Sequence, residues 1–463
     1  MSHTAIAELF LPLLGPQRCL TDADSAQRYG VDWTKVWAPA PSLVLLPETV
    51  EEVQEIVRIA NAEGLALVPS GGRTGLSAAA VAANGEVVVA FDRMNKVLHF
   101  DPLDRAVTVQ PGIITQQLQE FAEQNDLFYP VDFASAGSSQ IGGNIGTNAG
   151  GIKVIRYGMT RDWITGLKVV TGKGDLLDLN KGLIKNATGY DFRHLFTGAE
   201  GTLGLVVEAT VKLARRPRDL TVLVLGVPGF DEVMKVLHTF QLDIDLTAFE
   251  FFSEKAMGHV LAHGVPRPFD TVAPFYCLLE FEQLSEQVGE RAMELFEKCV
   301  EAGWVIDGVM SQSLAQLDQL WQLRERISES IAPFTPYKND ISVTVSKVPA
   351  FVQEVDAVVQ REYPDFEIVW FGHIGDGNMH LNILKPAELA KEVFFERCNN
   401  VSRWVFEIVQ RYNGSISAEH GVGMTKKPYL GYSRSAEEIG YMRAVKQLFD
   451  PNNVMNPGKL FDL

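Results

Sequence analysis

Three short segments carry a high density of glycine: Gly71, Gly72 and Gly75; then Gly137, Gly142, Gly143, Gly146, Gly150 and Gly151; then Gly198, Gly201 and Gly204. Glycine admits positive φ and close backbone approach, so amide N–H groups in such loops can converge on an anion. One cluster alone usually marks a tight turn. Three within one predicted domain point to a bound diphosphate. None has the GxGxxG arrangement between a first strand and its helix, followed by an acid about 20 residues on. A GxxxxGK[ST] run is also missing, so a Rossmann-bound NAD and a P-loop ATP are weaker readings.

The loops sit in an alternation of helix and strand. From Pro47 to Gly64, the apolar spacing of Val53, Ile56, Val57 and Ala60 predicts a helix, with acids in its first turn and Gly64 to end it. Strands are expected at Leu65–Val68, Val87–Phe91 and Ala106–Gln110. Near Leu213 to Leu220 the charge shifts and Pro217 interrupts, which places a domain boundary there. Beyond it, a helix over Ser285–Ala302 and strands at Phe275–Glu280, Ser342–Val345 and Glu367–Phe371 read as an α+β domain. With 463 residues, two or three packed units are expected.

A net charge of −17 opposes a nucleic acid partner, since phosphate binding draws on clustered Lys and Arg. Arg215, Arg216 and Arg218 read as a solvated linker face. Cys19, Cys277, Cys299 and Cys398 show no metal, cluster or disulfide spacing. The N-terminus lacks a basic region and carries Glu8, and no run of 18 apolar residues occurs, so the expectation is a cytoplasmic protein without a membrane span. A homodimer stays open.

Two later segments concentrate histidine: WFGHIGDGNMHLNIL (370–384) and GSISAEHGVGMTKKP (414–428). In the first, a strand ending near Phe371 turns through Gly375 to Asn378 into a strand at Met379–Ile383, which can set His373 and His380 side by side. The second segment offers Glu419 beside His420. Two imidazoles and a carboxylate match a catalytic metal site with open positions, zinc or manganese. Asp376 is a candidate fourth ligand, although Asp in such a turn usually serves the turn.

The runs PSGGRTG (69–75), DFASAGSSQIGGNIGTNAGG (132–151) and KNATGYDFRHLFTGAEGTLG (185–204) resemble the FAD-binding loops of the vanillyl-alcohol oxidase superfamily. The resemblance implies a two-part PCMH-type FAD-binding domain over 1–217, an α+β substrate cap over 218–423 and a small helical C-terminal part, 424–463, returning to the first domain. The overall class is α+β. It implies FAD held by Pro69, Ser70, Gly71, Gly72, Arg73, Thr74, Gly75 and Ser77 of the first loop and by Ser135, Gly137, Gly142, Gly143, Asn144, Thr147, Asn148, Gly150 and Gly151 of the second. Gly201, Gly204 and Asn456 complete the set. Members with covalent flavin carry a His in the first loop; Arg73 stands here with no His nearby, so a dissociable FAD is expected.

The GHxGDGNxH and EHGxG motifs resemble the glycolate oxidase and D-lactate dehydrogenase branch of that superfamily. The run His380, Leu381, Asn382 is most similar to the members acting on D-2-hydroxyglutarate, so the resemblance implies oxidation of that diacid to 2-oxoglutarate. D-lactate, glycolate and D-malate are the alternatives, and a metal-dependent hydrolase is the rival from another class. RERIS (324–328) and YKND (337–340) are similar to the branch's substrate-binding segments, which implies Arg324, Ser328 and Lys338, with Asn382, around the carboxylates. Ser328 stands where Thr is common, and the spacing to Lys338 departs by one residue. A metal on His373, His380 and Glu419, zinc ahead of manganese, would acidify the substrate hydroxyl, and His420 would act as general base. The branch implies an electron-transfer flavoprotein or a quinone-linked carrier as acceptor.

Overall fold

The computed structural model describes residues 1–463. The chain divides into two compact units, 1–150 with 158–216 and 419–463, and 151–157 with 217–418. The first division thus falls at 216/217. The chain re-enters the first unit at Glu419, five residues before the expected 424, and 151–157 is set apart from the second glycine loop.

In the first unit, Thr49 caps the helix Val50–Glu63 with a reciprocal Glu52 bond, and Gly64 ends it at φ 66°. Its buried stripe of Val53, Ile56, Val57 and Ala60 packs with Phe10, Leu43, Leu67 and Val87. The strand Leu67–Ser70 runs parallel to Val87–Ala90, which runs parallel to Leu43–Leu45, with Cys19–Leu20 antiparallel at the edge. A five-stranded antiparallel sheet follows in the order Val97–Asp101, Ala106–Val109, Gly204–Lys212, Ile164–Thr171, Leu176–Leu179. The C-terminal stretch comes back beside Leu67: Leu67 N–H bonds Val454 O at 2.7 Å and Asn456 N–H bonds Leu67 O at 2.7 Å.

The second unit is built on a seven-stranded antiparallel sheet ordered Asp307–Met310, Leu220–Val227, Phe275–Glu282, Leu246–Ser253, Ile368–Gly372, Asn378–Ile383, Tyr337–Ser342. Val222, Val224, Ala248, Phe252, Tyr276, Leu278, Val369 and Phe371 share a core with residues of the helices Glu254–Leu261, Leu314–Glu325 and Ile327–Ile331. The helix Glu286–Glu301 falls where spacing predicted it. The strand expected at Ser342–Val345 does not. Its strand is Tyr337–Ser342, and a short 3-10 turn, Val345–Lys347, follows. Lys338 and Asp340 make the run look polar, yet its backbone pairs fully with Asn378–Ile383. No helix is long and apolar enough to cross a membrane.

Candidate active site

All three glycine-rich segments meet in the first unit. A Cβ on Gly72 would lie 2.2 Å from Ser138 O and 2.7 Å from Ser139 Cα, so the first two loops touch backbone to backbone and only glycine fits. The third segment docks on the helix Ile141–Thr147: Gly198 N–H bonds Ile145 O at 2.9 Å and Glu200 N–H bonds Gly146 O at 2.7 Å. Gly201 faces Pro69 of the first loop. At this convergence Gln140 Oε1 is buried without a partner, and a Cβ on Gly143 would meet nothing within 4 Å. An orphaned acceptor beside an open glycine backbone fits a nucleotide cofactor.

Several sequence-predicted cofactor residues use their side chains to shape the loops. Arg73 makes a two-point pair with Asp92, at 3.0 Å each, and lies over Tyr29. The Ser70 hydroxyl donates to Tyr29 O, Asn144 Nδ2 to Thr115 Oγ1 and Thr147 Oγ1 to Gly143 O. Asn148 Oδ1 accepts from Arg161 N–H. Gly204 opens a strand opposite Thr171 and is held by sheet packing. Asn456 Nδ2 donates to Ala79 O and Glu200 O. Thr74, Gly75, Ser77, Ser135, Gly137 and Gly150 lie on the same loops in this unit, Gly142 lies on the helix Ile141–Thr147, and Gly151 belongs to the other unit.

Glu419 and His420 also belong to the first unit, with His420 Nε2 3.6 Å from Glu419 Oε1. The loop after them is pinned. Glu200 accepts from Val422 N–H at 2.6 Å and Gly423 N–H at 2.7 Å, while Ser77 O accepts from Met424 and Thr425 N–H. Burial pushes the Glu200 carboxyl up to about 7, against those two N–H bonds and the charges of Lys426 and Lys459.

In the second unit the histidine hairpin forms. His373 follows the strand Ile368–Gly372, the turn reverses, and His380 lies on Asn378–Ile383 directly opposite Phe371. The two imidazole centroids are 5.4 Å apart and nearly perpendicular. Gly377 is required in the turn: at φ 86°, a Cβ would sit 2.0 Å from Val343 O. Asp376 Oδ1 accepts from Asn378 N–H at 3.1 Å, which is the turn role.

The register brings further groups beside the pair. Asp340 is cross-strand from His380, and Lys338 is cross-strand from Asn382, two residues along on the same face. Asp340 Oδ1 lies 4.0 Å from His380 Nδ1 and accepts from Asn378 Nδ2 at 2.9 Å. Ala418, the last residue of this unit, donates its N–H to Asp340 O at 3.3 Å. Asn382 Nδ2 donates to Val369 O and His380 O. Burial holds the Lys338 ammonium below its ordinary range, and no acidic side chain offsets it.

From the helix Leu314–Glu325, Arg324 reaches Glu250 with Nε at 2.8 Å and lies over the Phe371 ring. Glu250 also takes His373 Nδ1 at 2.8 Å. Ser328 is half-buried one turn along, on Ile327–Ile331. Glu250, Asp340 and Glu200 were not singled out from sequence. A carboxylate between phenylalanines, in Phe249-Glu250-Phe251, is the signal that could have found the first.

A family described as FAD linked oxidases, C-terminal domain, matches residues 216–460, and one described as FAD binding domain matches 41–180. The D-2-hydroxyglutarate dehydrogenase of Stutzerimonas stutzeri is 68% identical over 462 residues, covering 100% of both chains. The protein of that name from Xanthomonas citri pv. viticola is 54% identical, covering 96% of this chain and 94% of its own. Among solved structures, p-cresol methylhydroxylase shares the fold at TM-score 0.76 with 17% identity, covering 99% of this chain and 97% of that one.

Proposed function

The chain belongs to the FAD-linked oxidase family as an FAD-dependent 2-hydroxy-acid dehydrogenase, and from that premise we propose that it oxidises D-2-hydroxyglutarate to 2-oxoglutarate. The sheet register carries this reading. It sets His380 with Asp340, and Lys338 with Asn382, on one face, and Lys338 is a half-buried cation whose charge no acidic side chain offsets. A second substrate carboxylate is the natural counter-charge.

The converging glycine loops, Gly71 to Gly75 and Gly137 to Gly151, would hold FAD without a covalent link, and it would supply the two-electron acceptor for the substrate hydride. Paired imidazoles with one Nδ1 already fixed by a carboxylate suit a divalent metal. His373, His380 and Glu419 would hold it, zinc ahead of manganese, and it would supply Lewis acidity toward the substrate hydroxyl and adjacent carboxylate. His420 takes the hydroxyl proton on its imidazole as general base. The Nη edge of Arg324 and the Lys338 ammonium neutralise carboxylate, with Ser328 and Asn382 adding hydrogen bonds. The two electrons would pass on to an electron-transfer flavoprotein or a quinone-linked carrier. The rival hydrolase reading leaves the FAD family match without a role.

The test is anaerobic flavin bleaching by D-2-hydroxyglutarate, L-2-hydroxyglutarate, D-malate, D-lactate and glycolate, before and after EDTA. Fast bleaching by D-2-hydroxyglutarate that chelation abolishes and zinc or manganese restores is expected. Bleaching by D-lactate or glycolate alone would sink the diacid reading, and indifference to EDTA would sink the metal. His420→Ala and Glu419→Ala should lose turnover with FAD retained.

A further inference from the structure

Glu250 stands on the strand Leu246–Ser253 between Ala248 and Phe252, two residues of the apolar core, and its side chain is 1% exposed. A carboxylate in such a place must be matched by charge or hydrogen bonds. One oxygen is matched by a hydrogen bond and the other by an ion pair without hydrogen-bond geometry. Oε1 accepts from His373 Nδ1 at 2.8 Å, and Oε2 lies 2.8 Å from Arg324 Nε.

Each contact fixes an orientation. A carboxylate only accepts, so the proton of neutral His373 sits on Nδ1 and the lone pair on Nε2 is presented as a ligand. Arg324 Nε lies 2.8 Å from Glu250 Oε2 as an ion pair without hydrogen-bond geometry, and its guanidinium carbon stands over Phe371, 4.8 Å from the ring centroid. With Nε turned to Glu250, the Nη edge is the one that can pair with a substrate carboxylate. The same Phe371 ring packs on His380 at 5.1 Å.

We propose that Glu250 is a shared positioning residue, which presents His373 to the metal and Arg324 to the substrate carboxylate and so ties metal binding to substrate recognition. The inference rests on reading His373 as a metal ligand and Arg324 as a carboxylate-binding cation. A merely structural ion pair would need Arg324 alone; the histidine contact is the additional element.

The test compares Glu250→Gln, Arg324→Met and His373→Ala in the full-length flavoprotein. Zn2+ affinity is measured by chelator competition after EDTA stripping, beside flavin content and the KM for D-2-hydroxyglutarate. Glu250→Gln should weaken Zn2+ by about 10–100-fold, the usual cost of losing such an outer partner, and also raise KM, with flavin retained. Arg324→Met should raise KM and leave Zn2+ affinity unchanged. Wild-type Zn2+ affinity in Glu250→Gln, with zinc lost from His373→Ala, overturns the proposal. Wild-type affinity in His373→Ala overturns the ligand reading beneath it. If Glu250→Gln fails to fold, the apolar double variant Glu250→Leu/Arg324→Met replaces it: weakened Zn2+ with flavin retained is expected, and wild-type affinity overturns the proposal.

Discussion

Replacing Lys338 with methionine keeps an unbranched side chain, one atom shorter, and removes the ammonium, which separates what the lysine does for the fold from what it does for a ligand. Burial holds the ammonium below the ordinary 10.5, and no carboxylate of the protein offsets that cost. Lys338→Met therefore should leave stability unchanged or raise it. Removing one partner of a buried charge pair with a ligand costs about 2–5 kcal/mol. Lys338 is half-buried rather than sealed, so the low end, about 2–3 kcal/mol, applies, and kcat/KM for D-2-hydroxyglutarate should fall about 30–150-fold. If the metal takes the carboxylate beside the hydroxyl, Lys338 serves the far one, and D-lactate turnover should barely change. Below its folded pKa, Lys338 is charged in both states and the burial penalty is felt in full. Between that value and the ordinary 10.5, only the unfolded chain holds the proton, so stability rises with pH while diacid binding weakens. Both slopes should vanish in the variant. Thermal melts and steady-state kinetics on the two substrates, from pH 7 to 10.5, check this. A lower melting temperature with an unchanged diacid KM, or equal losses on both substrates, would refute the reasoning.

Glu200 has a folded pKa raised to about 7 against an ordinary 4.5, so between those values the folded chain holds a proton that the unfolded chain has lost. Stability from this group is present below pH 4.5 and is lost as pH rises through 7; in Glu200→Gln the melting temperature should fall less over that window than in wild type. Gly377→Ala forces a Cβ to within 2.0 Å of Val343 O at φ 86°, and should destabilise by more than about 1 kcal/mol in urea unfolding. Because the turn joins the two histidines, the same variant should bind Zn2+ more weakly; unchanged unfolding and zinc uptake would show that the turn tolerates the methyl group.

Local periodicity and turn chemistry made much of this molecule legible. The capped helix ending at Gly64, the strands after it and the histidine hairpin were readable because their cues lie within one or two turns of the residues they organise. The three glycine clusters announced a shared guest, although not that Gly201 would face Pro69 or that Gly72 would touch Ser138. The strand Tyr337–Ser342 was misplaced because its polar residues lie within an otherwise buried sheet, and alternation cannot separate such a face from a solvated one.

The carboxylates were the least legible part, and Glu250 and Glu280 show why. Both are acids inside apolar strands of one sheet, and both are 1% exposed. Glu280 is closed on itself: Lys153 Nζ and Thr247 Oγ1 donate to Oε1 at 2.5 Å each, and Trp321 Nε1 donates to Oε2 at 2.9 Å. Its partners come from a neighbouring strand, a helix and residues 151–157, so it ties the sheet to what covers it. Glu250 turns its oxygens to an arginine, by an ion pair, and to a histidine at a hairpin turn, by a hydrogen bond. In sequence the two are alike, an acid among phenylalanine and leucine. What separates anchor from site is the identity of the partners that the register delivers, and those lie 41 and 127 residues from Glu280 but 74 and 123 from Glu250, beyond the reach of any local pattern.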